Sequence, residues 1–159
     1  MGDIIHIKPH HFIDIIASFD NKEIFSPHKY GHAQHIIAKK IFTEKQIILI
    51  MELGIDDICN PCIHNINGIC DDIIDTSFRP KAPKSKNEWN LLIDRRWCER
   101  LNIKQGDRLT PIQFCYLLKE KGEDISDIYR ELPPDRIIKK QVQIKNGIEY
   151  YLHFFVNPY

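Results

Sequence analysis

The sequence lacks a surplus of charge of either sign. Lysine and arginine together number 22, as do aspartate and glutamate, so the formal net charge of the 159 residues is zero. Proteins that bind nucleic acid or anionic membranes through their overall charge carry a basic surplus. We therefore consider nucleic acid an improbable partner, although a local basic patch remains compatible with the composition.

Long apolar runs are missing as well. The longest, Ile47 to Met51, fits a buried strand and is far shorter than the roughly 20 residues that a transmembrane helix needs. The segment from Met1 to His6 lacks the basic-then-apolar order of a signal peptide. We expect no membrane partner and a cytoplasmic protein.

Several motifs of common enzyme classes are absent. The sequence contains no phosphate-binding glycine loop, no serine nucleophile motif and no dinucleotide fingerprint. It also has no internal repeats. With 43% hydrophobic residues, a chain of this length can bury the core of one domain.

Hydrophobic spacing predicts an α+β fold, namely a small, mainly helical domain with a short sheet, a cysteine-rich metal loop and a C-terminal β-hairpin. Asn146-Gly147 between two alternating runs is a strong hairpin signal, because both residues tolerate positive φ. The apolar spacing predicts helices over 10–19, 29–42, 87–102 and 111–121, a short helix from 126, and a buried strand over 45–53. The single domain then comprises histidine-rich helices, strand and cysteine loop (1–78), a basic linker (79–86), helices (87–135) and the hairpin (137–156).

Three of the five cysteines form a metal-binding pattern. Cys59 and Cys62 are spaced so that two thiolates can reach one metal while Pro61 stiffens the loop between them. Cys70 follows closely, with Gly68 allowing a turn. In a reducing cytosol such cysteines favour metal or redox chemistry over disulfides. We predict a metal centre on this segment.

The fourth ligand and the kind of metal are open at this point. Zinc would accept the three cysteines with His64, but His64 lies only two residues after Cys62, which makes joint ligation awkward. A cubane iron–sulfur cluster also needs a fourth ligand. Cys98 and Asp14 are the candidates, although Cys98 could be a structural cysteine and Asp14 a surface acid, while Cys115 fits a helical core position.

Histidines are concentrated near the start of the chain, with six of the eight in the first 35 residues. His28, His32 and His35 have the i, i+4, i+7 spacing that places side chains on one helical face. That face could be a metal or acid–base site, or simply a polar surface. The candidates for handling protons beside the metal are His10, His11 and His64.

Four short motifs resemble those of a known family. They are Pro9-His10-His11, Phe25-Ser26-Pro27, the segment from Asp57 to His64, and Gly68-Ile69-Cys70. Together with the later segment from Leu101 to Thr110, they resemble an uncharacterised family of short iron–sulfur-binding proteins of anaerobic bacteria and archaea. The resemblance covers residues 7 to 121. The family often has a cysteine at the position of Asp14 and a further Cys-x-x-Cys pair that this chain lacks.

The resemblance implies a [4Fe-4S] cluster used for redox or for cofactor or sulfur chemistry. Its expected ligands are Cys59, Cys62, Cys70 and Cys98, with Asp14 as the alternative to Cys98. A redox partner or a small-molecule substrate would then be expected. The alternative is a zinc-stabilised interaction module without catalysis.

Overall fold

Three short strands form a mixed sheet. In the computed structural model, which describes residues 2–156, β1 (Asp3–Ile7) pairs in parallel with β2 (Ile47–Met51). β5 (Arg108–Leu109) pairs antiparallel with the other edge of β2, so the order is β1-β2-β5. Ile5 and Ile7 of β1 are buried while Ile4 is exposed, as the two-residue period of a strand requires.

Within the described residues, five α-helices accompany this sheet. They are α1 (Pro9–Ala17), α2 (Gln34–Thr43), α3 (Lys86–Leu101), α4 (Pro111–Lys121) and α5 (Pro134–Phe155), and a 3₁₀ helix spans Lys22–Phe25. Polar side chains cap the N-termini of α3 and α4. The Ser85 hydroxyl accepts a hydrogen bond from the amide of Glu88, and Thr110 forms a capping box with Gln113. The predicted α+β class is confirmed.

The core is rich in isoleucine and lies between the sheet and the helices. Phe12, Trp97 and Phe114 are fully buried in it, and α1 sits between α3 and α5. Within residues 2–156, no helix combines the length and the apolar character needed to cross a membrane.

The predicted C-terminal hairpin over 137–156 is wrong, because α5 covers this segment. Ile144, Ile148 and Leu152 are buried at intervals of four residues, and this spacing satisfies both a strand period and a helix period. Gly147 is not a turn residue. A Cβ atom at this position would lie 2.0 Å from the carbonyl oxygen of Ile16, so the glycine permits α5 to pack closely on α1.

The other predicted elements differ in extent. The helix predicted over 29–42 begins only at Gln34, and the residues just before it lie in turns and irregular structure, where Gly31 adopts a positive φ of 71°. No helix forms from Ser126, where the chain follows turns instead. The basic segment 79–86 is packed against the cysteine segment, with hydrogen bonds joining Ile74 to Lys84 and Lys86 to Asp72.

Candidate metal centre

The three cysteines of the predicted metal loop line one cavity of about 380 Å³. Side chains from α1, the loop before α2, α3 and α5 form its other walls. The histidines that line it are His10, His11, His32 and His64, and the charged residues are Asp14, Asp72, Arg79, Lys86 and Lys140. Residues that are distant in the sequence therefore meet around the cysteine segment.

A tight hairpin presents the third cysteine. β3 (Asn65–Ile66) and β4 (Ile69–Cys70) are joined by Asn67 and Gly68, both with positive φ, as a two-residue type I′ turn requires. The other two cysteines lie on a turn in which the amide of Cys62 donates to the carbonyl of Cys59 at 2.9 Å. Both turns bring thiols to the same cavity.

A buried carboxylate, Asp56, joins the start of α1 to the cysteine segment. Its Oδ2 atom accepts hydrogen bonds from the Lys8 amide at 2.9 Å and from His11 Nδ1 at 2.7 Å. Its Oδ1 atom accepts from the amide of Cys59 at 3.0 Å. Burial raises the pKa of Asp56, but His11 and Lys8 outweigh this effect and hold the pKa well below its usual range.

A second buried carboxylate orients His10. Asp94 on α3 is fully buried, and His10 Nδ1 lies 2.9 Å and 2.8 Å from its two oxygens. Burial lowers the pKa of His10, but the Asp94 charge outweighs it and the net pKa is raised. With Nδ1 engaged, Nε2 is the ring nitrogen of His10 that remains free for a ligand in the cavity.

The thiol of Cys59 is not activated as a free nucleophile. Burial and the nearby Asp56 carboxylate raise the pKa of Cys59 to about 12, although Lys8 acts in the opposite direction. Lys8 Nζ lies 3.7 Å from Cys59 Sγ and donates a hydrogen bond to it. At neutral pH this thiol is protonated unless a metal binds it, because metal coordination deprotonates a thiol.

The three thiols are not all as close to one another as the ligands of a single bound ion. Within residues 2–156, only His11, Asp56 and Cys59 offer three ligand atoms that all lie within 4.8 Å of one another. The sulfurs of Cys59, Cys62 and Cys70 are therefore spread more widely than this. Tetrahedral zinc, with Zn–S distances of about 2.3 Å, would hold them closer together.

Of the two predicted fourth ligands, only one lies at the cavity. Asp14 lines the cavity, where its Oδ1 atom lies 2.7 Å from Lys140 Nζ, whereas Cys98 on α3 is not among the lining residues. Burial and the nearby Asp94 and Asp107 raise the pKa of Cys98 to about 11. Cys115 is buried in the core, as its helical pattern indicated.

The predicted histidine face on one helix does not form. His28 and His32 precede α2 and stack on each other with ring centroids 4.6 Å apart. Only His32 of the three lines the cavity. His64 lies beside the cysteines, and its Nδ1 atom is 2.8 Å from Asp71 Oδ1.

Four polar residues of this region were not indicated by the sequence motifs. They are Lys8, Asp56, Asp94 and Lys140. Of these four, only Asp94 could have been found from the sequence. It lies beside Ile93 and Trp97 in the apolar stripe of α3, where a buried acid needs a partner.

No protein-family model, curated protein or solved structure matches this chain. The resemblance to iron–sulfur proteins stays a prediction from its motifs.

Proposed function

We propose that this chain binds a [4Fe-4S] cluster through Cys59, Cys62 and Cys70. The observation that carries the proposal is their arrangement: three thiols line one cavity, yet at least one pair of their sulfurs is more than 4.8 Å apart. A cubane distributes its thiolate ligands around four irons and so suits such a spread. The histidines and carboxylates around them make this wall of the cavity polar.

Of the two predicted fourth ligands we favour Asp14 over Cys98, because Asp14 lines the same cavity and Cys98 does not. Its carboxylate pairs with Lys140, so ligation would require at least partial release of that ion pair. An oxygen ligand exchanges more readily than a thiolate and would leave a site accessible to substrate. The bound cluster would supply electron transfer, Lewis-acid chemistry or sulfur chemistry.

The surrounding residues have definable roles in such a centre. Lys8 offsets negative charge on the Cys59 sulfur through its hydrogen bond. Asp94 fixes the His10 ring and favours its protonated form, so that His10 can hold a proton at Nε2 beside the cavity. Asp56 aligns the amide of Cys59 and the ring of His11.

Anaerobic purification with iron, sulfide and zinc analysis tests the proposal. We expect brown protein with roughly four irons and four sulfides per chain. Cys70→Ser should lose most of the iron, whereas Cys98→Ser, which removes a thiol outside the cavity, should retain it. Colourless protein that contains one zinc would exclude the cluster. Loss of iron in Cys98→Ser, with full retention in Asp14→Ala, would transfer the fourth position to Cys98.

A single-ion site is the second candidate, and one specific observation favours it. His11, Asp56 and Cys59 have ligand atoms within 4.8 Å of one another, a set that zinc accepts. However, Asp56 already accepts three hydrogen bonds, including one from His11, so an ion would have to displace these bonds. Iron, sulfide and zinc analysis also distinguishes the two candidates, because a single-ion zinc site requires one zinc per chain and no sulfide.

A further inference from the structure

One arginine on the cavity wall is held in a fixed plane. Arg79 lines the cavity, and its Nε atom donates a hydrogen bond to the carbonyl of Asp75 at 2.9 Å. Its guanidinium carbon lies 4.8 Å from the ring centroid of Phe78 and 5.2 Å from that of Trp89. These contacts pre-organise the guanidinium, which reduces the entropy lost when a ligand binds.

The Arg79 guanidinium forms no ion pair with a carboxylate among the described residues, although the charge of Asp75 acts on it from a longer distance. Lys86 lies 3.1 Å from Asp72 and Lys140 lies 2.7 Å from Asp14, so each of these lysines has a carboxylate. Among the described residues, no carboxylate oxygen lies within 4.0 Å of the Arg79 guanidinium. Asp75 instead uses its Oδ1 atom to accept from the Ser77 amide.

A half-buried cation without a carboxylate partner is a favourable place for an anion. A planar guanidinium presents paired N–H donors that match the two oxygens of a carboxylate or phosphate. The cavity, at about 380 Å³, lies at the small end of the range of ligand pockets and would be shared with the cluster. The ligand must therefore be small.

We infer that this cavity binds a small oxyanion, a carboxylate or a phosphate, through Arg79. Lys86 and Lys140 line the same cavity, but each is paired with a carboxylate that also lines it, so Arg79 is the cation on which the inference rests. The inference rests on the proposed function in one respect, because the anion would be the substrate group that is held beside the cluster. Anion binding itself is measured independently of iron.

A purely structural role for Arg79 is the competing explanation. Its bond to the Asp75 carbonyl and its contact with Trp89 could simply hold the basic segment in place. Removing a structural arginine would change stability but would not create or abolish a saturable binding isotherm. Affinity and stability must therefore be measured on the same variants.

The test is calorimetric titration of anaerobically purified protein with inorganic phosphate and, separately, with succinate, at constant ionic strength. We expect saturable binding of at least one probe, and the preferred probe identifies the oxyanion. Arg79→Gln should weaken it about tenfold or more, and Arg79→Lys should weaken it less because the charge remains. Arg136→Gln is the matched control, since Arg136 lies 3.6 Å from the Phe78 ring but does not line the cavity.

Circular dichroism and iron content are measured on every sample. The inference is overturned if neither probe binds saturably, or if Arg136→Gln weakens binding as much as Arg79→Gln. If Arg79→Gln does not fold, Arg79→Lys decides, and unchanged affinity in that variant overturns bidentate recognition. Arg79-dependent binding without iron supports the oxyanion site and rejects the cluster, whereas iron without binding rejects the oxyanion site alone.

Discussion

At the scale of single residues, Asp56 connects the separate parts of the candidate metal centre. One carboxylate accepts hydrogen bonds from the Lys8 amide, from His11 and from the Cys59 amide. A fully ionised carboxylate has acceptor capacity for all three, whereas an amide has only one acceptor oxygen. The position of Cys59 relative to α1 therefore depends on a negative charge rather than on shape alone.

Replacing Asp56 with Asn should weaken both the fold and the metal centre. The amide nitrogen of the new side chain is itself a donor and would face at least one of the donors that Asp56 binds. A buried donor would then be unpaired, which lowers the free energy of unfolding by about 1–3 kcal/mol. We expect lower iron content per chain as well, measured by anaerobic metal analysis and urea unfolding. The neighbouring Asp57→Asn is the control, because Asp57 accepts one bond, from the His6 amide, and its amide oxygen can keep it. Equal losses in both variants would contradict the role of Asp56.

The sequence indicates the cysteines and histidines of this region but not the carboxylates behind them. Cysteine is scarce, so three within twelve residues form a signal that needs no structure. Aspartate is common, and its partners here lie far away in the chain. Asp94 meets His10 across 84 residues and Asp56 meets His11 across 45 residues. Such pairs depend on tertiary packing, which local spacing does not encode.

At the scale of elements, the same dipeptide has two outcomes in this chain. Asn67-Gly68 forms the hairpin turn between β3 and β4, whereas Asn146-Gly147 lies inside α5. The difference lies in their surroundings, because α5 packs on both α1 and α4, and Gly147 lies at its close approach to Ile16 of α1. By contrast, α4 was predicted correctly, since Thr110-Pro111 provides local start signals that do not depend on distant contacts.

Gly147→Ala is expected to destabilise the protein even though alanine favours helices. Its Cβ atom would lie 2.0 Å from the Ile16 carbonyl oxygen, so α5 or α1 must shift. Overpacking of this kind costs about 1–3 kcal/mol, which exceeds the helix-propensity gain of about 1 kcal/mol. Thermal unfolding followed by circular dichroism measures the net loss. The control is the adjacent Asn146→Ala, at an exposed position of α5, which should leave the melting temperature unchanged or slightly higher. If Gly147→Ala instead raised the melting temperature, α1 and α5 would not be in close contact at this position.

At the scale of the whole molecule, the hydrophobic core and the cysteine segment are stabilised in different ways. The sheet and helices bury Phe12, Trp97 and Phe114 completely. The cysteine segment instead exposes more than half of each of four isoleucines, namely Ile63, Ile66, Ile69 and Ile73. This segment is fixed mainly by turns, by hydrogen bonds such as that from the Ile63 amide to the Tyr30 carbonyl, and, under our proposal, by the cluster.

If the chain binds the cluster as we propose, its removal should loosen the cysteine segment without unfolding the helices. A ligand that binds only the folded state stabilises it by mass action, and that contribution disappears in the apoprotein. We expect chelated protein to keep its far-ultraviolet circular dichroism but to melt at a lower temperature. Amide hydrogen exchange should speed up in residues 59–74, while α4 stays protected, because none of its residues lines the cavity and buried apolar residues such as Phe114 and Leu118 hold it in place. Loss of helical signal on chelation would show instead that the core depends on the metal, as in domains that fold only around their ion.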